Sequence, residues 1–419
     1  MAGCATTLTR HLRTAAFRRI IRVQAFATVS QVTAALQLLA LIVAVGRGRA
    51  TDTYVILFSA SQVAVSVLII GGLQPLTISR PGYSGWRRWI LTGSIVNALL
   101  LVATAGFLLI AGYPWHVVIP TGAVLVVSGA YAVMAAVRGV HHAAMGRPWV
   151  LASVTTIPNT VAAAFVLSTP IQKVPVMCVG LLLGNMATCA LITRYGERVP
   201  QSVTEQDVSQ SLPRADVAGL LASSSVGALG PFALQAVTAT YTPGQATILG
   251  FASRVAAGVV SVGVTAFTNA TTDWTRRSNR PLRLVTGVGF GGMGVAFVTL
   301  ALLNLIGISG IVTASVAATA FVCGAAAQAC AGRALAMGGL LTTFRRMAAL
   351  SVPLYASGVV LLSIGAHTAT MYFAVIAGLT VVSGMVFSSA LGWRREAAVL
   401  VGLCSGAVVI IGVAALIRT

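Results

Sequence analysis

Acidic side chains are scarce in this chain: seven aspartates and glutamates stand among 419 residues. A membrane glycosyltransferase or polymerase would show catalytic acids in a loop, and the single acidic loop lies between 194 and 215, where a connector is expected. Charge of either sign is rare. Only 8% of the residues are charged, against roughly a quarter in a soluble protein, which excludes an ordinary soluble globular domain. The six cysteines are scattered, with no C-x-x-C and no Cys/His pair at metal spacing. Most lie in apolar runs, where a thiol is a small packing residue, so no disulfide, metal or redox role is expected. There is no Walker loop, zinc signature or Gly-x-Ser-x-Gly turn. His141 and His142 have no Cys, Asp or Glu beside them. The chain reads as a protein without enzymatic activity or cofactor. The first apolar run is too long for a cleavable signal.

What the chain does have is apolar sequence. Hydrophobic residues make up 57% and the mean hydropathy is +0.92. Charges sit in islands between runs of about 20 residues, the length that spans a bilayer core. Thirteen such runs stand at about 22–45, 52–75, 89–112, 115–137, 149–169, 174–193, 216–238, 245–270, 283–306, 309–331, 347–366, 368–391 and 397–417. Lipid offers no partner to bare backbone, so each run is expected to be a helix. The predicted fold is an all-α integral membrane protein of about 13 transmembrane helices.

The net charge of +20 would suit nucleic acid if it formed one patch. It does not; the arginines sit at helix ends, as topology signals do, and no nucleic-acid partner is expected. Alternate loops receive 22 basic residues on one side and four on the other (Arg47, Arg49, Lys173 and Arg418), leaving Arg254 inside a run. That bias predicts the first side to be cytoplasmic, with an inside N-terminus and a multi-pass location in the cytoplasmic membrane.

The polar stretch 194–215 divides the chain. It reads as a cytoplasmic linker between an N-terminal six-helix bundle (1–193) and a second one (216–391), with an extra C-terminal helix in 392–419. The halves resemble each other. Ala60-Ser61-Gln62-Val63 matches Ala252-Ser253-Arg254-Val255 at an offset of 192, and Gly129, Arg138 and Pro158 match Gly324, Arg333 and Pro353 at 195. Six is an even number, so both halves enter from the same side. The repeat is therefore parallel, with its pseudo-two-fold along the membrane normal, a transporter architecture.

Residues 30–75 carry a further likeness. Ser30-Gln31, Gly46 and Gly48, Thr51-Asp52-Thr53-Tyr54 and Gly71-Gly72-Leu73 follow one another there, and ILGFASRVAAGVVSVGVTAF occupies 248–267. In these segments the chain resembles the MOP superfamily of multidrug, oligosaccharidyl-lipid and polysaccharide exporters, and is most like its MurJ/MviN-type lipid II flippases. Where the flippase pattern has arginines in helices 1 and 2, this chain has Gln31, Gln37 and Val65; Arg254 alone keeps the basic residue. The resemblance implies alternating access between two bundles. It implies as cargo a polyprenyl-(di)phosphate-linked glycan, a cell-wall precursor or another amphiphile, with its lipid tail left in the membrane.

Several residues are candidates for that work. Arg254 lies about ten residues into an apolar span, where an arginine is costly unless it faces protein or water. It is either an anion contact for a phosphate head group or a side chain snorkelling to the interface. Gln24, Thr28 and Gln31 repeat at i, i+4 and i+7 and share one face of helix 1, with Gln37 turned away from it. Gln62 and Gln235 are candidates for the same polar lining, and all these amides equally suit interhelical hydrogen bonding. Asn97, Asn159, Asn185 and Gln328 read as such structural bonds. Asp52 is expected to cap its own helix 2, with Arg47 and Arg49 near enough for an ion pair or an outer gate. Pro158, Pro231 and Pro353 are candidate hinges or static bends. No acid lies deep in any span, which disfavours coupling through a buried carboxylate. Two other functions remain open: a small-molecule or drug exporter of the same superfamily, and a non-transporting scaffold for cell-envelope biosynthesis enzymes.

Overall fold

A computed structural model of the chain describes residues 2–79, 85–169, 173–196, 214–266, 278–308, 310–338, 343–365, 367–396, 398–399 and 402. The linker's central part and nearly all of the expected thirteenth helix lie outside the described residues.

Among the described residues the structure is helical, without strands. Helix α1 (Ala2–Val45) is followed by α2 (Arg49–Ala64), which runs through a π-helical segment (Val65–Leu73) into α3 (Gln74–Ser79). Then come α4 (Trp86–Ile110), α5 (Trp115–Ala144), α6 (Pro148–Ser153), α7 (Thr156–Ser168) and α8 (Val174–Gly196). The second half holds α9 (Arg214–Val237) and α10 (Gln245–Val260), which continues as a π segment (Ser261–Thr265). It ends with α11 (Arg280–Ile306), α12 (Ile311–Met337), α13 (Thr343–Ile364) and α14 (Ala369–Ala390). Among the described residues, eleven helices are long and apolar enough to cross a membrane. The α6–α7 pair forms one of them, and α9 stands where the seventh run was expected.

The two halves use the same packing scheme. In the first, α1 packs on α6 and α7, α4 on α5, and α8 on both α5 and α7. In the second, α9 packs on α13, α11 on α12, and α14 on both α12 and α13. Each pair in one list is the repeat counterpart of a pair in the other. Both π segments also match: each follows directly on the second helix of its half. Such segments collect at functional positions in helices.

Bilayer tails are as apolar as leucine, so apolar burial contributes little to helix association; close packing and interhelical hydrogen bonds do the work. Leu99, Val102, Ile110, Ile311 and Ile364 accordingly point outward. Inside, Asn97 donates to the Val126 carbonyl (3.3 Å), joining α4 to α5, and Asn185 donates to Ser128 (2.9 Å), joining α8 to α5. Gly129 lies against Asn97 so closely that a Cβ there would overlap the amide. Arg138 on α5 donates to the Cys189 carbonyl (3.2 Å) and to Thr193 on α8.

The prolines separate into two kinds. Pro158 has no N–H to give to residue 154, and the fifth span breaks there into α6 and α7. Thr155, in the break, bonds Ser30 of α1. Pro353 and Pro231 instead lie inside unbroken helices. Matching positions in the repeat therefore do not produce matching breaks.

Candidate functional site

The halves meet along two antiparallel seams. In one, α1 lies against α10: Gln37 pairs with Arg254, Gln31 with Ser261, and Val23 and Ala27 with Val262 and Ala266. In the other, α2 and its π segment lie against α9, with Gly71 on Ser224 and Gly72 on Leu221. Antiparallel pairing follows from the repeat, since α1 and α10 cross the membrane in opposite senses.

Arg254 is the centre of the first seam. It is nine residues past the start of α10, about 14 Å along the helix at 1.5 Å per residue, near the middle of a core roughly 30 Å thick. Its guanidinium sits 4.3 Å from the centroid of the Phe58 ring, and Nη1 donates to Gln37 Oε1 at 3.5 Å. Gln37 is fully buried and donates from Nε2 to the Tyr54 hydroxyl (2.8 Å). Tyr54 and Phe58 stack at 5.4 Å. The second terminal nitrogen, Nη2, is buried and has no hydrogen-bond partner among the described residues. A ring face partly offsets the desolvation of a guanidinium, by about 2 kcal/mol in a dry site, without taking up Nη2. The guanidinium turns towards Phe58 and Gln37.

The glutamines fall into place unequally. Gln31 donates to Ser261 Oγ at 3.5 Å and packs against Gly258. Gln235 lies beside Gly250, where α9, α10 and Val55 converge. Gln62, the repeat counterpart of Arg254, is half-buried; so is Gln24, and neither side chain makes a hydrogen bond among the described residues. Thr28 is exposed and returns its hydroxyl to the Gln24 carbonyl (2.8 Å). The expected continuous polar face of helix 1 is therefore not what forms. Because α1 touches both α2 and α10, Gln31 and Gln37 both reach protein from different faces, while Thr28 does not. Tyr54 and Phe58 carry no charge and sit in an apolar run, so neither was singled out as a partner of Arg254, although Tyr54 belongs to the Thr51–Tyr54 segment. Their spacing of four residues, one helical turn, was the only available signal.

Asp52 differs from expectation. It does not cap α2, whose N-terminus is closed by Gly48 and Thr51. Its buried carboxylate crosses to α10 instead. Oδ2 accepts from the Gly244 amide (2.6 Å), and Oδ1 from the Thr247 amide (2.8 Å) and hydroxyl (2.6 Å). These partners lie 192 and 195 residues away, at the repeat offset. The N-termini of two equivalent helices therefore meet, and one carboxylate caps the far one. Arg49 makes no ion pair with Asp52; it donates to the Gly112 carbonyl (2.6 Å) and lies over the Tyr113 ring. Tyr113 donates to the Ala239 carbonyl (3.1 Å), a second bond between the halves at this end. Burial, and then the Asp52 carboxylate, push that phenol up to about 12, so it keeps its proton at physiological pH. Gly244 itself has φ +90°, a conformation that favours glycine.

Both ends of the seams are thus closed, by Asp52 and Tyr113 at one end and by Gly71 and Gly72 against α9 towards the other. An ionisable group, Arg254, stands at mid-depth between two related halves.

No family model and no curated protein matches the chain. Solved structures do. The chain is similar to the lipid II flippase MurJ in an inward closed conformation, at 13% identity and a TM-score of 0.54, over 94% of this chain and 93% of that one. It is similar to MATE in complex with MaL6, at 15% identity and 0.55, over 92% and 97%. It is also similar to a MOP superfamily transporter from Pyrococcus furiosus whose binding pocket is described as reversed in polarity, at 15% and 0.51, over 92% and 96%. The fold is therefore that of membrane transporters. In particular, it is the fold shared by MurJ and MATE, the MOP-superfamily fold.

Proposed function

We propose that this chain carries a polyprenyl-(di)phosphate-linked glycan or related cell-wall precursor across the cytoplasmic membrane by alternating access, with Arg254 as the contact for its phosphate. The observation that carries this reading is the buried Nη2 of Arg254, without a hydrogen-bond partner among the described residues, at mid-depth between the halves. A hydrogen bond to a charged group contributes about 1.5–3 kcal/mol, so a phosphate arriving there gains what no neighbour now provides. Gln37, already aligned by Tyr54, would turn its amide to a sugar or peptide group. Gln31, Gln62, Gln24 and Gln235 supply further amides along the same surfaces. Asp52 is the gate at one end, and Pro158, Pro231 and Pro353 serve as pivots. The arginine-rich end faces the cytoplasm, so the N-terminus is inside. Membrane potential acting on the anionic head group, or removal of product, drives the cycle.

The test is flipping of polyprenyl-diphosphate glycans in liposomes by the wild type, Arg254→Lys and Arg254→Ala. Transport should fall about 10- to 100-fold in the alanine variant and less in the lysine variant, which keeps charge but loses the planar fork. Absence of movement for every glycan by the wild type sinks the flippase reading. One observation favours a second reading, a small-molecule exporter. Phe58 lies under the Arg254 guanidinium and stacks with Tyr54, and an aromatic pair of that kind also holds planar or cationic drugs. Drug efflux by the wild type, without glycan flipping, would select it. Neither activity, with a cellular phenotype untouched by Arg254→Ala, would select the scaffold for cell-envelope enzymes.

A further inference from the structure

At the arginine-rich end of α11, a surface cleft of about 470 Å³ is lined by Arg280, Arg283, Leu284, Gly287, Val288 and Glu396. These α11 positions lie at i, i+3, i+4, i+7 and i+8, one face of the helix. Two guanidinium groups stand at the top. Below them Leu284 and Val288 are among the most exposed apolar side chains of the protein. Between them runs a trough: Gly287 has only the Glu396 side chain near its Cβ position, at 3.6 Å, and Gly291, one turn on, faces open space. An apolar trough beneath a cationic rim at a membrane boundary has the polarity to seat a phospholipid head group above and the start of an acyl chain below.

The charges decide which lipid. Arg283 is half-exposed and held by Glu396 through Nε–Oε1 (2.6 Å) and Nη2–Oε2 (3.4 Å). That hydrogen bond, together with the charges of Arg283 and Arg395, holds the Glu396 carboxyl below its usual range. Arg280 is exposed, and its side chain makes no hydrogen bond among the described residues. Arg394 and Arg395 directly precede Glu396 and are exposed too. Arg280 and Arg283 thus share the cleft with this carboxylate, and the charge of Arg395 reaches it too. A zwitterionic head group would bring its own cation into this field; an anionic one would not.

We propose that the cleft is a binding site for one anionic phospholipid of the leaflet on the arginine-rich side, its phosphate on Arg280 and Arg283 and one acyl chain in the Gly287–Gly291 trough. Glu396 competes for Arg283, which tunes the affinity.

The test uses the purified full chain in detergent with a fluorescent-tailed phosphatidylglycerol, displaced by unlabelled phosphatidylglycerol or phosphatidylcholine. Each basic residue near a membrane surface is worth about 1 kcal/mol, roughly fivefold in affinity. Arg280→Ala with Arg283→Ala should weaken binding about 25-fold. Glu396→Gln should strengthen it about fivefold, a gain that misfolding cannot imitate. Gly291→Leu should weaken both lipids equally, since it fills the trough without touching charge. Equal displacement by the two lipids, unchanged binding in the double variant, or weaker binding in Glu396→Gln would each overturn the proposal.

Discussion

Replacing Asp52 should open the end of the seam that it closes. Its carboxylate is buried and accepts three hydrogen bonds from α10. Bonds to a charged acceptor contribute about 1.5–3 kcal/mol each and are not additive. Asparagine keeps one acceptor oxygen but presents an N–H₂ to the other donor and loses the charge. The closed state should then lose about 2–4 kcal/mol. The open state loses little, because water can reach the first-turn amides of α10 once the halves part. At 1.4 kcal/mol per tenfold, the ratio of closed to open molecules should fall by roughly 30- to 700-fold. Alanine should shift it at least as far. Ala239 offers a reporter, since it is only 8% exposed and its carbonyl takes the Tyr113 bond. Modification of Ala239→Cys by a membrane-impermeant maleimide should be slow in the wild-type background and rise with the open fraction in Asp52→Asn. The expected change is in reactivity, with folding verified by the melting transition in detergent. If reactivity in Asp52→Asn and Asp52→Ala equals that of the parent while both variants are folded, the clasp does not gate.

Other substitutions probe the same geometry. Tyr113→Phe removes one neutral hydrogen bond, about 1 kcal/mol, and should raise Ala239→Cys labelling about fivefold. Gly250→Val would overlap Val55; overpacking costs about 1–3 kcal/mol, and the same reporter should show the Asp52 end opened. Gly71→Val overlaps Ser224 and should instead expose the arginine-rich end, leaving Ala239→Cys slow; labelling that rises equally in both would contradict separate closures. Gln37→Leu frees Tyr54 and strips Arg254 of its acceptor, so transport should fall about tenfold with little loss of melting temperature, at roughly 1 kcal/mol per lost bond.

Much of this was written in the chain. Runs of apolar residues separated by arginine islands require membrane helices, because a bilayer leaves the backbone no other partner. Twelve of the thirteen expected runs coincide with described helices, the two halves share a packing scheme, and the offset of 192–195 recurs in the Asp52 contacts. Arg254 was legible for the same reason: a cation inside an apolar run is expensive wherever it lands. What it would face was not. A run of apolar residues does not say which side chains it will present, so Phe58 and Tyr54 stayed hidden among their neighbours.

Asp52 marks the boundary between the two kinds of knowledge. Sequence alone determined that it begins a helix and that a carboxylate there seeks free amides. Local reasoning assigned it to the N-terminus of its own helix. Only the tertiary structure decided for that of α10, because Gly48 and Thr51 already close α2. The repeat brings Gly244 and Thr247 within 2.6–2.8 Å of the carboxylate. Hydrogen bonding is short-ranged, so which amides a buried carboxylate satisfies depends on distances that no sequence separation reveals.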